Sequence, residues 1–130
     1  MSAGTLADVR GYAATMPPMI RLLLATALLF VLLVPNASAA NCSVSGKERK
    51  LGATYVTSVR ASGLSCRSAL SLVKDYHACR RGRGGADGRC PRVNGYRCRE
   101  SRTSSPTQYD SRATCRKGGR RVVQRYTQNT

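Results

Sequence analysis

Hydrophobic positions fall into three patterns along this chain: one unbroken block, one helical stripe and several short alternations. The block is "LLLATALLFVLLV", Leu22 to Val34. As a helix its 13 residues span about 20 Å, short of the ~30 Å hydrocarbon core of a bilayer. Arg21 precedes the block, and Ala37-Ser38-Ala39 follows it as a small-residue cleavage site. Residues 1–39 therefore predict a secretory leader, with cleavage after Ala39 or Ala40 and a compact start at Met16 or Met19. The helical stripe lies in "SGLSCRSALSLVKDYHACR", where Cys66, Ala69, Leu70, Val73, His77 and Arg80 recur at helical spacing and Ser65 supplies the N-cap.

The alternations predict strands. In residues 53–61, Tyr55, Thr57, Val59 and Ala61 share one face and Val56, Ser58 and Arg60 the other. Asn94-Gly95 predicts a turn into a strand where Tyr96, Cys98 and Glu100 alternate with Arg97, Arg99 and Ser101. A hairpin around Gly118-Gly119 closes the chain, with Val122, Gln124 and Tyr126 opposing Arg121, Val123 and Arg125. Residues 40–52 read as an irregular segment, 80–89 as a mobile glycine-arginine loop, 102–108 as a loop and 128–130 as a tail. The expectation is one α+β domain over residues 53–127, a helix on a small antiparallel sheet in the order β-α-β-β-β.

Charge changes that picture. The chain holds 22 basic and 6 acidic residues, a net of +16. The leader contains Arg10, Arg21 and Asp8, so residues 40–130 keep 20 basic and 5 acidic residues, and sixteen of the twenty are Arg. Beyond the leader there is no Trp or Phe, and the large aliphatics are four leucines and seven valines. So small an apolar set cannot by itself offset the ordering of the chain and the repulsion among its cations. Cys42, Cys66, Cys79, Cys90, Cys98 and Cys115 answer that deficit: an even count in a short exported chain predicts three disulfides. Cys79–Cys90 is the favoured bridge because it closes the glycine loop; six cysteines allow fifteen connectivities, and the other pairings stay open. A zinc site is disfavoured, since no C-x₂-C pair occurs and His77 is the only histidine. Cys42 follows the apolar block as in a lipoprotein, but "AAN" before it makes a poor lipidation box, and the acceptor at Asn36 leaves with the leader.

Candidate chemistry is sparse. No Ser-His-Asp spacing, P-loop or Gly-x-Ser-x-Gly occurs. His77 with Glu100 or Glu48 as an acid–base pair, beside phosphate-holding arginines, is the ribonuclease reading, against a histidine at the edge of the core. "CPRV" is a disulfide-fixed loop that could offer Arg92 to a trypsin-like protease, against a bridge anchor before a turn. Arginine forks suit phosphate and carboxylate. Arg80, Arg81, Arg83 and Arg89 flank the glycine loop as the best-placed anion cluster, and Arg97, Arg99, Arg121 and Arg125 extend it if the strands adjoin. The helix carries too little charge before Arg80 for a membrane-seeking cationic peptide.

"LSCRSALSLVKDY", "GYRCR" and "ATCRKGGRRVV" together resemble a pattern of small exported proteins of high-GC Gram-positive bacteria, over residues 60–126. The resemblance implies export and this fold, and no activity; Cys42, Cys79 and Cys90 fall outside its pattern. The reading is therefore an exported, monomeric, non-enzymatic domain without cofactor, binding an anionic polymer or surface of the cell envelope.

Overall fold

The computed structural model describes residues 38–130; residues 1–37 of the expected leader, with Met16, Met19 and Asn36, lie outside the described residues. One helix packs on one face of a six-stranded antiparallel sheet of order β1-β2-β6-β5-β4-β3. The strands are β1 Ala40–Cys42, β2 Tyr55–Ser62, β3 Arg92–Val93, β4 Tyr96–Ser105, β5 Gln108–Lys117 and β6 Arg120–Asn129, with helix α1, Cys66–Gly82, between β2 and β3. The α+β expectation holds, but strand count and order differ from the sequence reading.

Helix α1 starts where the sequence predicts. Ser65 Oγ accepts from the Ser68 amide at 3.2 Å, a cap that stabilises a helix by ~1 kcal/mol. Ala69, Leu72, Val73, Tyr76, His77 and Arg80 are its buried residues. Their spacing of three and four puts them on one stripe facing the sheet. The matching sheet positions are Val56, Val59, Ala61, Tyr96, Cys98, Tyr109, Ala113, Cys115, Val122 and Tyr126, all buried.

Four sequence expectations need correction. Residues 40–52 are not wholly irregular: Ala40, Asn41 and Cys42 pair with Ala61, Arg60 and Val59. The face assignment along residues 53–61 fails because the register shifts between Val56 and Ser58. Such a bulge inserts one residue and reverses the phase of the pleat, so Val56 and Val59 both reach the core while Tyr55 stays 41% exposed. Residues 102–108 are ladder rather than loop; Ser105 pairs with Gln108 across a two-residue Pro106-Thr107 turn. These seven positions carry no large apolar side chain, so hydrophobic alternation could not announce them.

The fourth correction concerns residues 80–89. The helix runs on to Gly82 and a 3₁₀ turn follows at Gly85–Asp87. The segment is clamped by its carbonyls: Ala86 O accepts from Arg80 Nη1 and, at 2.6 Å, from the Tyr109 hydroxyl, and Asp87 O and Gly88 O accept from Arg102 at 2.8 and 2.6 Å. Gly88 makes this closeness possible, since a Cβ there would lie 1.9 Å from Arg80 O.

Both predicted tight turns are present. Asn94 and Gly95 have φ of 51° and 78°, the positive pair that a two-residue hairpin turn requires. Lys117 pairs with Arg120 across Gly118-Gly119. All six cysteines are bridged, as Cys42–Cys66, Cys79–Cys90 and Cys98–Cys115. The first ties β1 to the start of α1, the second ties the end of α1 to the approach to β3, and the third joins opposed residues of β4 and β5. Disulfides persist in an oxidising compartment. Among the described residues no helix is long and apolar enough to cross a membrane.

Candidate functional site: the open face of the sheet

With α1 on one face, every second residue of β2, β4, β5 and β6 points away from it. The register then decides which residues meet. Arg92 pairs with Arg97 across β3 and β4, Arg97 with Arg116 across β4 and β5, and Arg116 with Arg121 across β5 and β6. Four arginines thus stand side by side in one row, about 4.8 Å apart from strand to strand. A parallel row holds Arg112 opposite Arg125; between the two rows lie Arg99 opposite Thr114, and Arg60 opposite Val123. The open face also carries Asp110 at its far end, where it pairs with Thr103 and Thr127 and accepts from Thr127 Oγ1 at 2.6 Å. Like charges directly opposite one another cost stability. Arg97, Arg99, Arg112, Arg116 and Arg125 are exposed, so burial offers little to offset that cost.

A shallow groove of ≈ 660 Å³ runs over this face, lined by Arg97, Arg99, Glu100, Ser101, Arg112, Thr114, Arg116, Gly118 and Arg121. Arg121 is half-buried, and its Nε is buried without a hydrogen-bond partner, alone in this among the side-chain polar atoms of the described residues. Glu100 lines the groove from β4, but its carboxylate lies on the covered face, where its oxygens are occupied. They accept from Tyr76 at 2.9 Å, Ser111 at 2.7 Å, Arg102 Nε at 2.7 Å and the Tyr126 hydroxyl. Burial pushes the Glu100 carboxyl up, but the donors Arg102, Tyr126, Ser111 and Tyr76 outweigh it and hold it at about 2.

The structure divides the sequence-predicted cluster. Arg97, Arg99, Arg121 and Arg125 come together on the open face, but they do not extend the loop cluster, because α1 and its C-terminal loop occupy the opposite face. Arg80 is fully buried at 0% exposure and cannot touch a partner. It donates to His77 Nδ1 at 3.3 Å, Tyr109 Oη at 2.7 Å and Gln128 Oε1 at 2.6 Å. Arg81 is exposed and donates to Gly52 O, Arg83 caps the helix, and Arg89 reaches Glu100 O at 3.4 Å on the edge of β4. Sequence reasoning missed Arg60, Arg92, Arg112 and Arg116 as partners of the cluster. The alternation of Asp110, Arg112, Thr114 and Arg116 against Tyr109, Ser111, Ala113 and Cys115 carried the signal for Arg112 and Arg116.

His77 does not offer acid–base chemistry at a surface. It is 0% exposed and sits edge-on to Tyr126, with ring centroids 4.6 Å apart. Its Nε2 donates to Gln124 Oε1 at 3.0 Å while Nδ1 accepts from Arg80, which fixes the neutral tautomer. Burial, then Arg80, lowers its pKa to about 3. Glu48 lies in the segment before β2, where its carbonyl accepts from the Val56 amide at 2.9 Å. Arg92 is exposed and lies in the two-residue strand β3, paired with Arg97. No protein family, curated protein or solved structure matches this chain.

Proposed function

We propose that this protein is exported and binds anionic polymers of the cell envelope through the open face of its sheet. One observation carries the reading: arginines from five strands share that face in register, with Asp110 as the carboxylate turned to it. Arginine binds phosphate and carboxylate through paired donors, and a rigid sheet holds those donors at fixed spacing. A flat, open, rigid cationic surface suits a long polymer better than a small molecule, which requires enclosure. Four arginines engaging a single-stranded polyanion give a slope of log K against log salt of about −3.

Salt elution from a polyol-phosphate or heparin column tests the reading. The protein is expected to stay bound above physiological ionic strength of roughly 0.15 M. A variant with Arg97, Arg116 and Arg125 changed to Ser is expected to elute well before one with Arg67, Arg81 and Arg83 changed to Ser, although both lose the same charge. Equal shifts in the two would mean diffuse net charge and no binding face. Export itself is tested by the intact mass of protein recovered from the medium, expected to begin at Ala40 or Asn41 with three bridges.

A further inference from the structure

We infer that Arg121, with Arg97 and Arg116 beside it, forms a discrete seat for the phosphate groups of a base-free polyphosphate or polyol-phosphate chain. The inference rests on the anion-binding reading of the open face and narrows its ligand. It starts from the orphaned Arg121 Nε. A buried N–H without an acceptor carries its full desolvation penalty, and native structures rarely keep one unless something satisfies it. Arg121 lines the open groove together with Arg116, Arg97 and Thr114. An anion resting there meets the forks of Arg97, Arg116 and Arg121 together, and a turn of the Arg121 side chain uncovers its Nε–H to the same anion.

Geometry favours phosphate over carboxylate. The oxygens of a carboxylate lie in one plane and fill one guanidinium fork. A tetrahedral phosphate directs its oxygens differently and bridges two guanidinium groups. Arg97, Arg116 and Arg121 sit directly opposite one another on successive strands, so each gap of about 4.8 Å between strands is flanked by two forks. The row runs across the strands, and so does a chain that follows it.

The face also argues against nucleic acid. Sheets that hold single strands stack the bases on aromatic side chains. Here the positions among the arginines are Ser101, Thr114 and Val123. The exposed aromatic, Tyr55, pairs with Thr127 near the end of the sheet away from the arginine row. Phosphates can be gripped on this face, and bases find no platform.

Calorimetric titration of the folded, fully bridged protein separates the possibilities. The probes are poly(glycerol phosphate), inorganic polyphosphate, poly-glutamate and oligo-dT at matched charge; the first two distinguish a wall-type polymer from an inorganic one. The variant is Arg121→Lys, which keeps the charge and removes Nε and the fork, and Arg83→Lys is its control. The expected result is a loss of about tenfold for the phosphate chains in Arg121→Lys, under about twofold for poly-glutamate, and no loss in the control. In the unaltered protein, labelled on arginine, the Arg121 Nε–H resonance is expected to shift on adding either phosphate chain, a readout that does not depend on how the variant folds. An unmoved Arg121 resonance, equal losses on all probes, or tighter binding of oligo-dT than of the base-free chains would overturn the inference while leaving polyanion binding standing. No binding of any probe would instead remove the reading beneath it.

Discussion

Arg102 and Arg116 project from neighbouring strands of one sheet, on opposite faces, and they lead different lives. Arg102, on the covered side, is wrapped in acceptors: both oxygens of Glu100, the carbonyls of Asp87 and Gly88, and the face of Tyr109 at 4.2 Å. Arg80, on the same side, has no carboxylate and is still satisfied by neutral oxygens and His77. Arg116, on the open side, has arginines opposite it on both neighbouring strands. Where arginine holds this fold together, its donors are filled by the fold. Where its donors are unfilled, the side chain is free to act on something else. The Glu100–Arg102 pair is the ion pair among the described residues, so almost all of the positive charge is uncompensated at short range.

The comparison breaks first at Glu100. Its side chain is 5% exposed and that of Arg102 10%. Glu100→Gln removes the counter-charge of a buried guanidinium and one acceptor from Tyr76, Tyr126 or Ser111. Breaking a buried pair from one side costs ~3–5 kcal/mol. Denaturant unfolding of this variant should show a loss of that order, while Arg116→Gln changes stability by less than ~0.5 kcal/mol. Similar losses for the two would erase the distinction between the faces. The next effect concerns the Cys79–Cys90 bridge. Replacing both cysteines by Ala is expected to cost ~2–4 kcal/mol, with the salt-elution point of the open face changed little, because of the arginine row only Arg92 on β3 lies beside the bridge, and Arg97, Arg116 and Arg121 on β4, β5 and β6 do not.

Acid acts on the covered face. Burial and Arg80 lower His77 to about 3, below its ordinary value of about 6.5. The unfolded chain therefore takes up that proton first, and stability falls as pH drops from about 6.5 towards 3. Glu100, held at about 2 by its four donors against the raising effect of burial, adds a second loss from about 4.3 downwards. Both groups have depressed folded-state values, so both contributions are complete above their unfolded values. A urea midpoint measured from pH 8 to pH 3 should fall steadily below 6.5. His77→Gln should flatten the upper part of that fall and leave the lower part.

How much of this was readable in the residues follows from the same contrast. The helix, both tight turns and the faces of β4 and β6 were visible because each had a local signal: Ser65 as a cap, Asn94-Gly95, Gly118-Gly119, and strict alternation after Tyr96 and Arg121. The bulge at Val56 and Ser58 was not visible, since Thr57 fits either face, and neither was β1, whose pairing with β2 is a long-range choice fixed by the Cys42–Cys66 bridge. The site was half visible. Alternation showed that arginines share a side within a strand. It could not show which strands adjoin, and so the row of Arg92, Arg97, Arg116 and Arg121 needed the register. Arg80 misled for a related reason: a charged residue at the end of a helix ordinarily faces water, and only the convergence of Tyr109, Gln128 and Ala86 made its burial possible.

The smallest expected effect is the sharpest test, because its sign is unusual. Most substitutions destabilise a protein. On the open face, Arg97 and Arg116 are directly opposite one another, and opposed like charges are unfavourable by ~0.2–1 kcal/mol. Changing both to Thr, a good strand residue, should raise stability by up to ~1 kcal/mol at low ionic strength while weakening polymer binding. In a double-mutant cycle the two gains should be less than additive, because the repulsion between Arg97 and Arg116 is removed only once, while Arg97 still faces Arg92 and Arg116 still faces Arg121. The gain should vanish at about 1 M salt, where screening acts within about 3 Å. Arginines that stabilise the fold when removed, yet are needed for a polyanion, would be held in place by what they bind. A loss of stability that persists in high salt would instead make the row part of the scaffold, and the two faces would no longer differ in kind.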